Sequence, residues 1–185
     1  MVISAPSGAG KTTICRELQK RRPGWKFSVS CTTRPKRDYE NNGYDYEFVS
    51  EEEFHRRVNA HELVEHEEVH GYHYGTPRAA IEWALRNRDV LLLEVDVKGG
   101  ISIKRAYPEN SVTIFVRPPS LEELKQRLKG RGSDSEERIE KRLQRMDMEM
   151  AYEDQYDYSI LNEDLDRTVE EVLAILEREE DQVQA

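Results

Sequence analysis

Short apolar runs alternate along this chain with stretches in which apolar residues recur at helical spacing. Residues 2–3 and 90–93 are continuous apolar runs, and residues 112–116 are apolar except for Thr113, as expected of strands that are buried on both faces. Ile14 and Leu18 follow the first run at the spacing of one helical face. Strands that alternate with helices in this way predict an α/β fold, in which helices flank a parallel sheet. Ligands of such sheets bind at the carboxyl ends of the strands.

The stretch from residue 31 to residue 76 is more polar and richer in turns. Alternating apolar and polar residues predict strands at residues 44–49 and 63–69. Between these strands, Ser50 followed by Glu53 is the pattern of a capping box, which predicts the start of a short helix. This part of the chain therefore differs from the buried strands on either side of it.

A Thr-Pro pair marks the start of the next predicted helix. Thr76 would supply the capping hydroxyl and Pro77 the first helical residue, a position where proline loses no hydrogen bond. Ile81 and Leu85 would line the buried face of this helix. Later in the chain the pattern predicts helices at residues 136–150 and 167–178, with a strand between them at residues 158–161.

Composition narrows the class of protein. The chain has 185 residues and a formal net charge of −9 at pH 7, so we expect one domain and no nucleic-acid partner. No apolar run approaches the roughly 18 residues of a membrane span, and no signal peptide precedes the first strand. We therefore expect a cytoplasmic protein that does not bind membranes. Cys15 and Cys31 have no metal or disulfide spacing and are expected to be small packing residues.

The first strand leads into a phosphate-binding motif. The loop after it contains glycine, ends in Gly-Lys-Thr and precedes a helix, which is the order of a P-loop. Lys11 would reach the β- and γ-phosphates of ATP, and the hydroxyl of Thr12 would ligate Mg²⁺. Ala5 stands where this motif usually has glycine, and it fits if its φ is negative. The expected ATP-binding residues are Ala5, Pro6, Ser7, Gly8, Ala9, Gly10, Lys11 and Thr12.

Further motifs are spread over nearly the whole chain. They are SVSCTTRPKR at residues 28–37, NGYDYEF at 42–48, LVE at 63–65, GYHYGT at 71–76, EVDV at 94–97, PPS at 118–120, GRG at 130–132 and NEDL at 162–165. In order and spacing they resemble the signature of the guanylate kinases, the enzymes that phosphorylate GMP with ATP. Several independent motifs agree, so the resemblance is far more specific than the P-loop alone.

The resemblance to guanylate kinases implies an architecture of three parts and a set of site residues. The parts are a P-loop core (1–30, 77–125 and 147–185), a mixed β/α GMP-binding subdomain (31–76) and a helical lid (126–146). The residues implied for the phosphate of GMP are Arg34, Arg37, Tyr46 and Tyr74. Those implied for the guanine side are Ser30, Glu65, Thr76 and Asp96. Lys11, Arg131 and Arg142 would surround the transferring phosphoryl group as the catalytic residues.

The residue types fit this chemistry. Guanidinium groups bind phosphate oxygens in bidentate fashion, and tyrosine hydroxyls add neutral donors. An ionised carboxylate accepts hydrogen bonds from N1–H and the exocyclic amine of guanine, whereas adenine has no donor at N1. Phosphoryl transfer needs alignment and charge neutralisation more than a covalent catalyst, so no nucleophilic side chain is expected.

Simpler interpretations and other functions stay open. Glu65 could face water on an alternating strand, Asp96 could cap a helix, and Glu94 could orient water bound to Mg²⁺. The histidines are expected at the surface because their spacing predicts no metal triad; they are His55, His61, His66, His70 and His73. Two alternative functions are a non-catalytic scaffold domain related to these kinases and a kinase for another phosphorylated acceptor.

Overall fold

The elements of the fold come from a computed structural model that describes residues 1–6, 8–69, 71–120, 123 and 136–184, with the backbone alone for residues 136–142 and 180–184. Its strands are β1 (Val2–Ser4), β2 (Lys26–Phe27), β3 (Cys31–Thr32), β4 (Glu47–Phe48), β5 (Leu63–Val69), β6 (Tyr72–Pro77), β7 (Leu91–Val95), β8 (Thr113–Arg117) and β9 (Tyr158–Leu161). Its helices are α1 (Lys11–Arg21), α2 (Glu51–Asn59), α3 (Arg78–Asn87), α4 (Val97–Ala106), α5 (Glu136–Met150) and α6 (Leu165–Gln184), and a 3₁₀ turn spans Glu153–Gln155.

Five parallel strands form the larger sheet, in the order β2-β7-β1-β8-β9. Strand β1 lies in the centre, where Ser4 is in register with Val95 of β7 and Phe115 of β8. Because the strands are parallel, their carboxyl ends meet at one edge of the sheet. The P-loop follows β1 at that edge, and Glu94 and Asp96 lie there at the end of β7.

Alternate residues of β1 pack on opposite faces of this sheet. Ile3 packs with Ile14 of α1 and Val172 of α6 on one face. Val2 packs with Ile81 of α3 on the other face. All five side chains are buried. A strand covered on both faces favours apolar residues at most positions, which is why these runs are largely apolar. The buried polar residues Ser4 and Thr113 are each hydrogen-bonded. The predicted α/β fold is confirmed.

The smaller sheet is mixed and has the order β4-β3-β6-β5. Strand β3 pairs parallel with β4 and antiparallel with β6, and β5 pairs antiparallel with β6. Helix α2 packs on this sheet through Phe54, beside Cys31 and Leu63. The Ser50 hydroxyl accepts the N–H of Glu53 at 3.1 Å, so the predicted start of α2 is confirmed.

The strand predicted at residues 44–49 is shorter than expected. Strand β4 contains only Glu47–Phe48. The N–H groups of Tyr44 and Asp45 both donate to the carbonyl of Asn41, at 3.2 and 3.0 Å. A turn therefore uses the donors that a longer strand would have placed in the sheet.

The helix start predicted at Thr76 and Pro77 is wrong. Both residues belong to β6, and α3 begins at Arg78. The Thr76 side chain is fully buried, and its hydroxyl donates to the carboxylate of Glu65 on β5. Its hydroxyl is therefore engaged with Glu65 and does not cap the helix, whose N-cap position is taken by Pro77.

Other predictions for packing differ in detail. Leu85 is 39% exposed, and Ala84 instead is buried next to Ile81 in α3. The helix therefore turns its i+3 position, not its i+4 position, toward the sheet. The cysteines, Cys15 and Cys31, are buried and free, as predicted for packing residues.

The elements predicted for the second half of the chain are confirmed. Helix α5 spans Glu136–Met150 and strand β9 spans Tyr158–Leu161, with the predicted bounds. The last helix, Leu165–Gln184, is longer than predicted. In the part of the chain that is described, no helix has the length and apolar character needed to cross a membrane.

Candidate functional site

The loop that follows β1 turns back toward its own start. Gly8 and Gly10 have φ values of 95° and 102°, which residues with a Cβ rarely adopt. Ala5 is not among the residues with positive φ, so it fits the place where the motif usually has glycine. Gly10 precedes α1 without a side chain to cap it, so the first N–H groups of the helix can donate to a phosphate. The Nζ of Lys11 donates to the carbonyl of Ala5 at 2.7 Å.

Asn162, at the end of β9, supports this loop from a distant part of the sequence. Its Nδ2 donates to the carbonyl of Ala9 at 2.7 Å, and its Oδ1 accepts from the Thr168 hydroxyl at 3.1 Å. A Cβ on Gly10 would lie 2.6 Å from the same Nδ2. The sequence showed Asn162 only as part of a matching motif, because its role depends on β9 lying in the same sheet as β1.

Thr12 and Glu94 place two oxygen atoms that could ligate a metal ion beside the P-loop. The hydroxyl of Thr12 donates to Oε1 of Glu94 at 2.6 Å. Thr12 belongs to the first turn of α1, and Glu94 lies near the end of the neighbouring strand β7. A hydroxyl and a carboxylate are the hard oxygen ligands that Mg²⁺ prefers. These residues therefore fit the predicted Mg²⁺, and the contact with Thr12 places Glu94 where it could orient water bound to that ion.

Arg34 is held by a buried carboxylate. Its Nη1 and Nη2 donate to Oε2 and Oε1 of Glu40 at 3.0 and 2.7 Å, and the two side chains are only 11% and 6% exposed. Burial raises the pKa of Glu40, but hydrogen bonds from Arg34 and the backbone N–H of Arg37 outweigh it, so the pKa is lowered overall. The Arg37 guanidinium lies 3.8 Å from the same carboxylate and is more exposed. Sequence reasoning gave Glu40 no role.

Two tyrosines stand beside this ion pair. The rings of Tyr46 and Tyr74 pack edge to face with centroids 5.8 Å apart, and the Arg34 guanidinium lies 5.4 Å from the Tyr46 ring centroid. Burial, followed by the charge of Glu94, raises the pKa of Tyr46. The Tyr46 hydroxyl therefore stays protonated at neutral pH and can donate a hydrogen bond.

Glu65, Thr76 and Asp96 meet where the two sheets approach each other. The Thr76 hydroxyl donates to Oε1 of Glu65. A Cβ on Gly99 would lie 2.8 Å from Oε2 of Glu65 and 3.2 Å from Oδ1 of Asp96, so a side chain there would push against both carboxylates. Asp96 Oδ1 accepts the N–H of Gly99 at 2.7 Å and caps α4, as its simpler interpretation predicted. The backbone carbonyl of Asp96 accepts from the Ser4 hydroxyl at 3.2 Å, which joins this group to the P-loop strand.

The Glu65 carboxyl is unusual in its acidity. Burial raises its pKa to about 7; the charge of Asp96 adds to the rise, and the hydrogen bond from Thr76 opposes it. Near pH 7 the protonated and ionised forms of this group are therefore both populated. The interpretation of Glu65 as a carboxylate that simply faces water is wrong.

Arg16 connects helix α1 to the segment that precedes β4. Its Nη2 lies 2.5 Å from Oδ1 of Asp45. Its guanidinium stacks 4.3 Å from the Tyr44 ring centroid and 5.7 Å from that of Phe27. The P-loop helix and the smaller sheet thus share a charged and aromatic contact, which the sequence did not predict because its members are distant along the chain.

The structure describes the remaining predicted site residues only in part. Ser30 lies between β2 and β3, partly buried, and its carbonyl accepts the N–H of Glu47 at 3.0 Å. Ser7, Arg131 and residues 126–135 of the predicted lid lie outside the described residues. Arg142 is part of α5, but its side chain also lies outside the description.

Comparison with known proteins decides the family. The family model described as guanylate kinase matches residues 1–179. The chain belongs to the guanylate kinase family. The guanylate kinase of Thermotoga maritima is 44% identical over 178 residues, with 96% of this chain and 86% of the relative covered. That of Salinibacter ruber is 45% identical over 174 residues, with 94% of this chain and 92% of the relative covered.

The fold agrees with that of a solved guanylate kinase. The crystal structure of guanylate kinase from Anaplasma phagocytophilum is similar with a TM-score of 0.79 and 34% identity, and the match covers 96% of this chain and 84% of that chain. The predicted P-loop kinase fold and the resemblance to guanylate kinases are both confirmed. Within this family, the strand-end carboxylates and the buried arginine become candidates for binding the acceptor nucleotide.

Proposed function

We propose that this chain phosphorylates GMP at the carboxyl edge of its larger sheet, with ATP on the P-loop and GMP held mainly by the smaller sheet. Its family carries out the transfer of the γ-phosphoryl group of ATP to GMP, which gives ADP and GDP. The main support for placing GMP there is the contact at Gly99, where Glu65 of the smaller sheet meets Asp96 at the end of β7 in the larger sheet. The Ser4–Asp96 hydrogen bond ties that junction to the strand that leads into the P-loop.

ATP binds through main-chain donors and one ammonium group. Lys11 exchanges the neutral Ala5 carbonyl for oxygens of the β- and γ-phosphates, a stronger acceptor because it is charged. The amino end of α1 adds N–H donors and the positive end of its dipole. Thr12 would hold Mg²⁺ directly, and Glu94 would hold it through water. When bound, the ion neutralises charge on the β- and γ-phosphates.

The phosphate of GMP binds to the buried arginine and its neighbours. A guanidinium has five N–H donors, so the two bonds from Arg34 to Glu40 leave further donors for the phosphate. Glu40 also fixes the plane of that guanidinium, which makes it a positioning residue. Tyr46, Tyr74 and Arg37 add hydroxyl and guanidinium donors around the same point.

Guanine is recognised by acceptors that adenine cannot satisfy. Ionised Glu65 accepts from N1–H and the exocyclic amine, and the Thr76 hydroxyl holds the carboxylate in place. A carboxylate has two oxygens, so Asp96 can cap α4 through Oδ1 and still accept a hydrogen bond through Oδ2. Ser30 is assigned to the same side by matching position. A buried acceptor left unpaired by AMP costs binding energy, which gives discrimination.

The parts of the chain divide in the same way between the ATP side and the GMP side. Residues 31–76 form the GMP-binding subdomain, which agrees with the mixed sheet of β3 to β6. Residues 1–30, 77–125 and 147–185 form the P-loop core, and residues 126–146 form the lid. Arg131 and Arg142 of the lid complete the charge around the transferring group as water is excluded. The transfer is in line and needs no phosphoenzyme.

Two alternatives differ in what the chain would do with nucleotides. A scaffold domain would bind a protein and turn over nothing, whereas a kinase for another acceptor would prefer that acceptor to GMP. The intact P-loop argues against the first, and the paired carboxylates Glu65 and Asp96 argue against the second. An ADP-release assay with GMP, AMP and ribose phosphates separates them. We expect turnover with GMP far above the others; no ADP release with any acceptor, or a preference for AMP, would contradict the proposal.

A further inference from the structure

Two histidines and a glutamate lie together beside the smaller sheet, on helix α2 and strand β6. The Nε2 atoms of His73 and His55 lie 3.6 and 3.8 Å from Oε2 of Glu51. One ligand atom of each residue lies within 4.8 Å of the other two. Among the described residues, these three metal-ligating side chains are close enough to share one metal ion. The sequence did not indicate it, because His73 is distant from the other two residues along the chain.

Glu51 and His55 come from one face of a well-anchored helix. They are four residues apart on α2, the spacing that brings two side chains together. The first turn of that helix is fixed by the hydroxyl of Ser50, which accepts the N–H of Glu53. Phe54, 1% exposed, lies beside them on the same helix and anchors it in the core of the smaller sheet, next to Cys31 and Leu63.

His73 is held on β6 by its main chain and by its ring. Its N–H donates to the Thr33 hydroxyl at 3.0 Å, and its carbonyl accepts from the Thr33 N–H at 3.1 Å and the Thr32 hydroxyl at 2.8 Å. Its ring stacks on Phe54 with centroids 5.2 Å apart. The imidazole is therefore already directed toward α2, which lowers the cost of binding an ion.

We propose that Glu51, His55 and His73 form a binding site for a divalent transition-metal ion, with zinc as the best match. Two imidazoles and one carboxylate, with water in a fourth position, are a known zinc ligand set. Mg²⁺ and Ca²⁺ prefer oxygen ligands, so this cluster is chemically distinct from the oxygen donors beside the P-loop.

Two of the three pairs of ligand atoms need only a small adjustment to hold zinc, and the third pair, between the two imidazoles, lies within 4.8 Å. Ligand atoms placed 2.0–2.1 Å from a tetrahedral zinc ion lie about 3.3 Å from one another. The distances of 3.6 and 3.8 Å to the Glu51 oxygen exceed that value by a few tenths of an ångström. The side chains of Glu51 and His55 are 58% and 59% exposed, so both can rotate inward around His73 without displacing other groups.

A bound ion would link α2 to β6 on the GMP half. The next residue of β6 is Tyr74, which we assign to the phosphate of GMP. None of the three ligands is assigned to the phosphoryl transfer itself. We therefore expect the ion to stabilise the folded state by mass action and not to be required for turnover.

The direct test measures metal binding to the full chain without an affinity tag, after removal of metals by a chelator. Zinc is titrated in competition with a chromophoric chelator, with Mg²⁺ in excess. We expect one zinc ion per chain. Cobalt added to the same protein should give the visible absorption of a four- or five-coordinate nitrogen–oxygen site, without a thiolate charge-transfer band.

Substitutions locate the ion. His73→Gln and His55→Gln should each weaken zinc binding by about tenfold or more, because loss of a ligand costs at least as much as loss of a group that orients one. His61→Asn is the matched control, because His61 is exposed, has a φ of 55° that asparagine tolerates, and lies outside the cluster. Zinc should raise the unfolding temperature of the wild type and of this control, but not of His73→Gln.

The results that would overturn the site are equally specific. Absence of saturable binding at one ion per chain, or equal zinc affinity in wild type and both cluster variants, would place no ion at this cluster. Circular dichroism without zinc shows whether each variant is folded. The kinase assay with Mg²⁺ and ATP is a separate readout, so a failure of this proposal and a failure of the proposed function can be told apart.

Discussion

The proposed ATP half of this site, which is the P-loop, and its proposed GMP half, which is the smaller sheet with Asp96, are built in different ways. The ATP half uses one contiguous loop, with main-chain N–H groups, two glycines at positive φ and a single lysine. The GMP half uses side chains from separate strands and loops, and two of them are held by another side chain. Glu40 holds Arg34, and Thr76 holds Glu65.

The difference teaches where each half is sensitive. A site made of main-chain donors tolerates most side-chain changes, except where glycine or lysine is needed. A site made of paired side chains loses the second group when the first is removed, because a buried group is left without its partner. Substitutions should therefore separate the two halves by which substrate each one affects.

The largest effect is expected for Lys11→Ala. Loss of a charge placed on the transferring phosphoryl group should lower kcat by at least about 10²-fold, while GMP affinity stays close to wild type. Steady-state kinetics and GMP titration by calorimetry provide the two readouts. Lys20→Ala is the control, because Lys20 lies on the same helix with a mostly exposed side chain. Wild-type turnover in Lys11→Ala, or an equal loss of GMP binding, would contradict the division between halves.

Glu65→Gln should act on the other half. The amide brings an NH₂ group toward a donor on the base and loses the charge-assisted hydrogen bonds, each effect costing about 1–3 kcal/mol. We expect kcat/KM for GMP to fall by roughly 10²-fold, with ATP affinity almost unchanged. Glu68→Gln, an exposed position of the same strand, is the matched control. If ATP and GMP binding weaken together, the guanine site has been placed wrongly.

Glu40→Gln tests whether Arg34 is positioned by its partner. Removing the charge leaves a nearly buried guanidinium without its counter-ion, so the free energy of unfolding should fall by about 3 kcal/mol. The KM for GMP should rise by about tenfold while kcat falls less, because binding of the acceptor phosphate is affected first. Asp38→Asn, on the exposed part of the same loop, should change neither. Denaturant unfolding and kinetics at saturating ATP measure the two effects.

The smallest effect is a dependence on pH near neutrality. Because Glu65 has its pKa raised to about 7, part of the population must lose a proton before the carboxylate can accept from guanine. GMP affinity should therefore weaken as pH falls below about 7, by up to about tenfold per pH unit. Calorimetry at pH 7 in buffers of different ionisation enthalpy should show proton release on GMP binding, and Glu65→Gln should lose that release.

The same shift has a consequence for stability, of opposite sign to the usual carboxylate. The pKa of Glu65 is raised in the folded chain from an ordinary value of 4.5 to about 7, so between these values the unfolded chain binds fewer protons. The contribution of Glu65 to the free energy of unfolding therefore falls as pH rises from about 4.5 to about 7. Unfolding of Glu65→Gln should lack this part of the pH dependence.

Local order along the chain determined the fold class and the ATP half. A strand, a glycine-containing loop, a lysine and a helix are contiguous, and their geometry follows from backbone sterics and helix ends. The largely apolar runs indicated strands buried on both faces, since burial on two sides disfavours polar residues unless they are hydrogen-bonded, as Ser4 and Thr113 are. The resemblance in spaced motifs then identified the family.

The tertiary structure alone decided how the GMP half is held together. The role of Glu40, the placement of Glu65 beside Asp96, and the support of the P-loop by Asn162 depend on contacts between distant residues. Thr76 shows most clearly what the local sequence could not predict. Its sequence context is that of a helix cap, yet pairing of β5 with β6 extends it and turns its hydroxyl to Glu65, because a strand partner and a buried carboxylate outweigh a local capping preference.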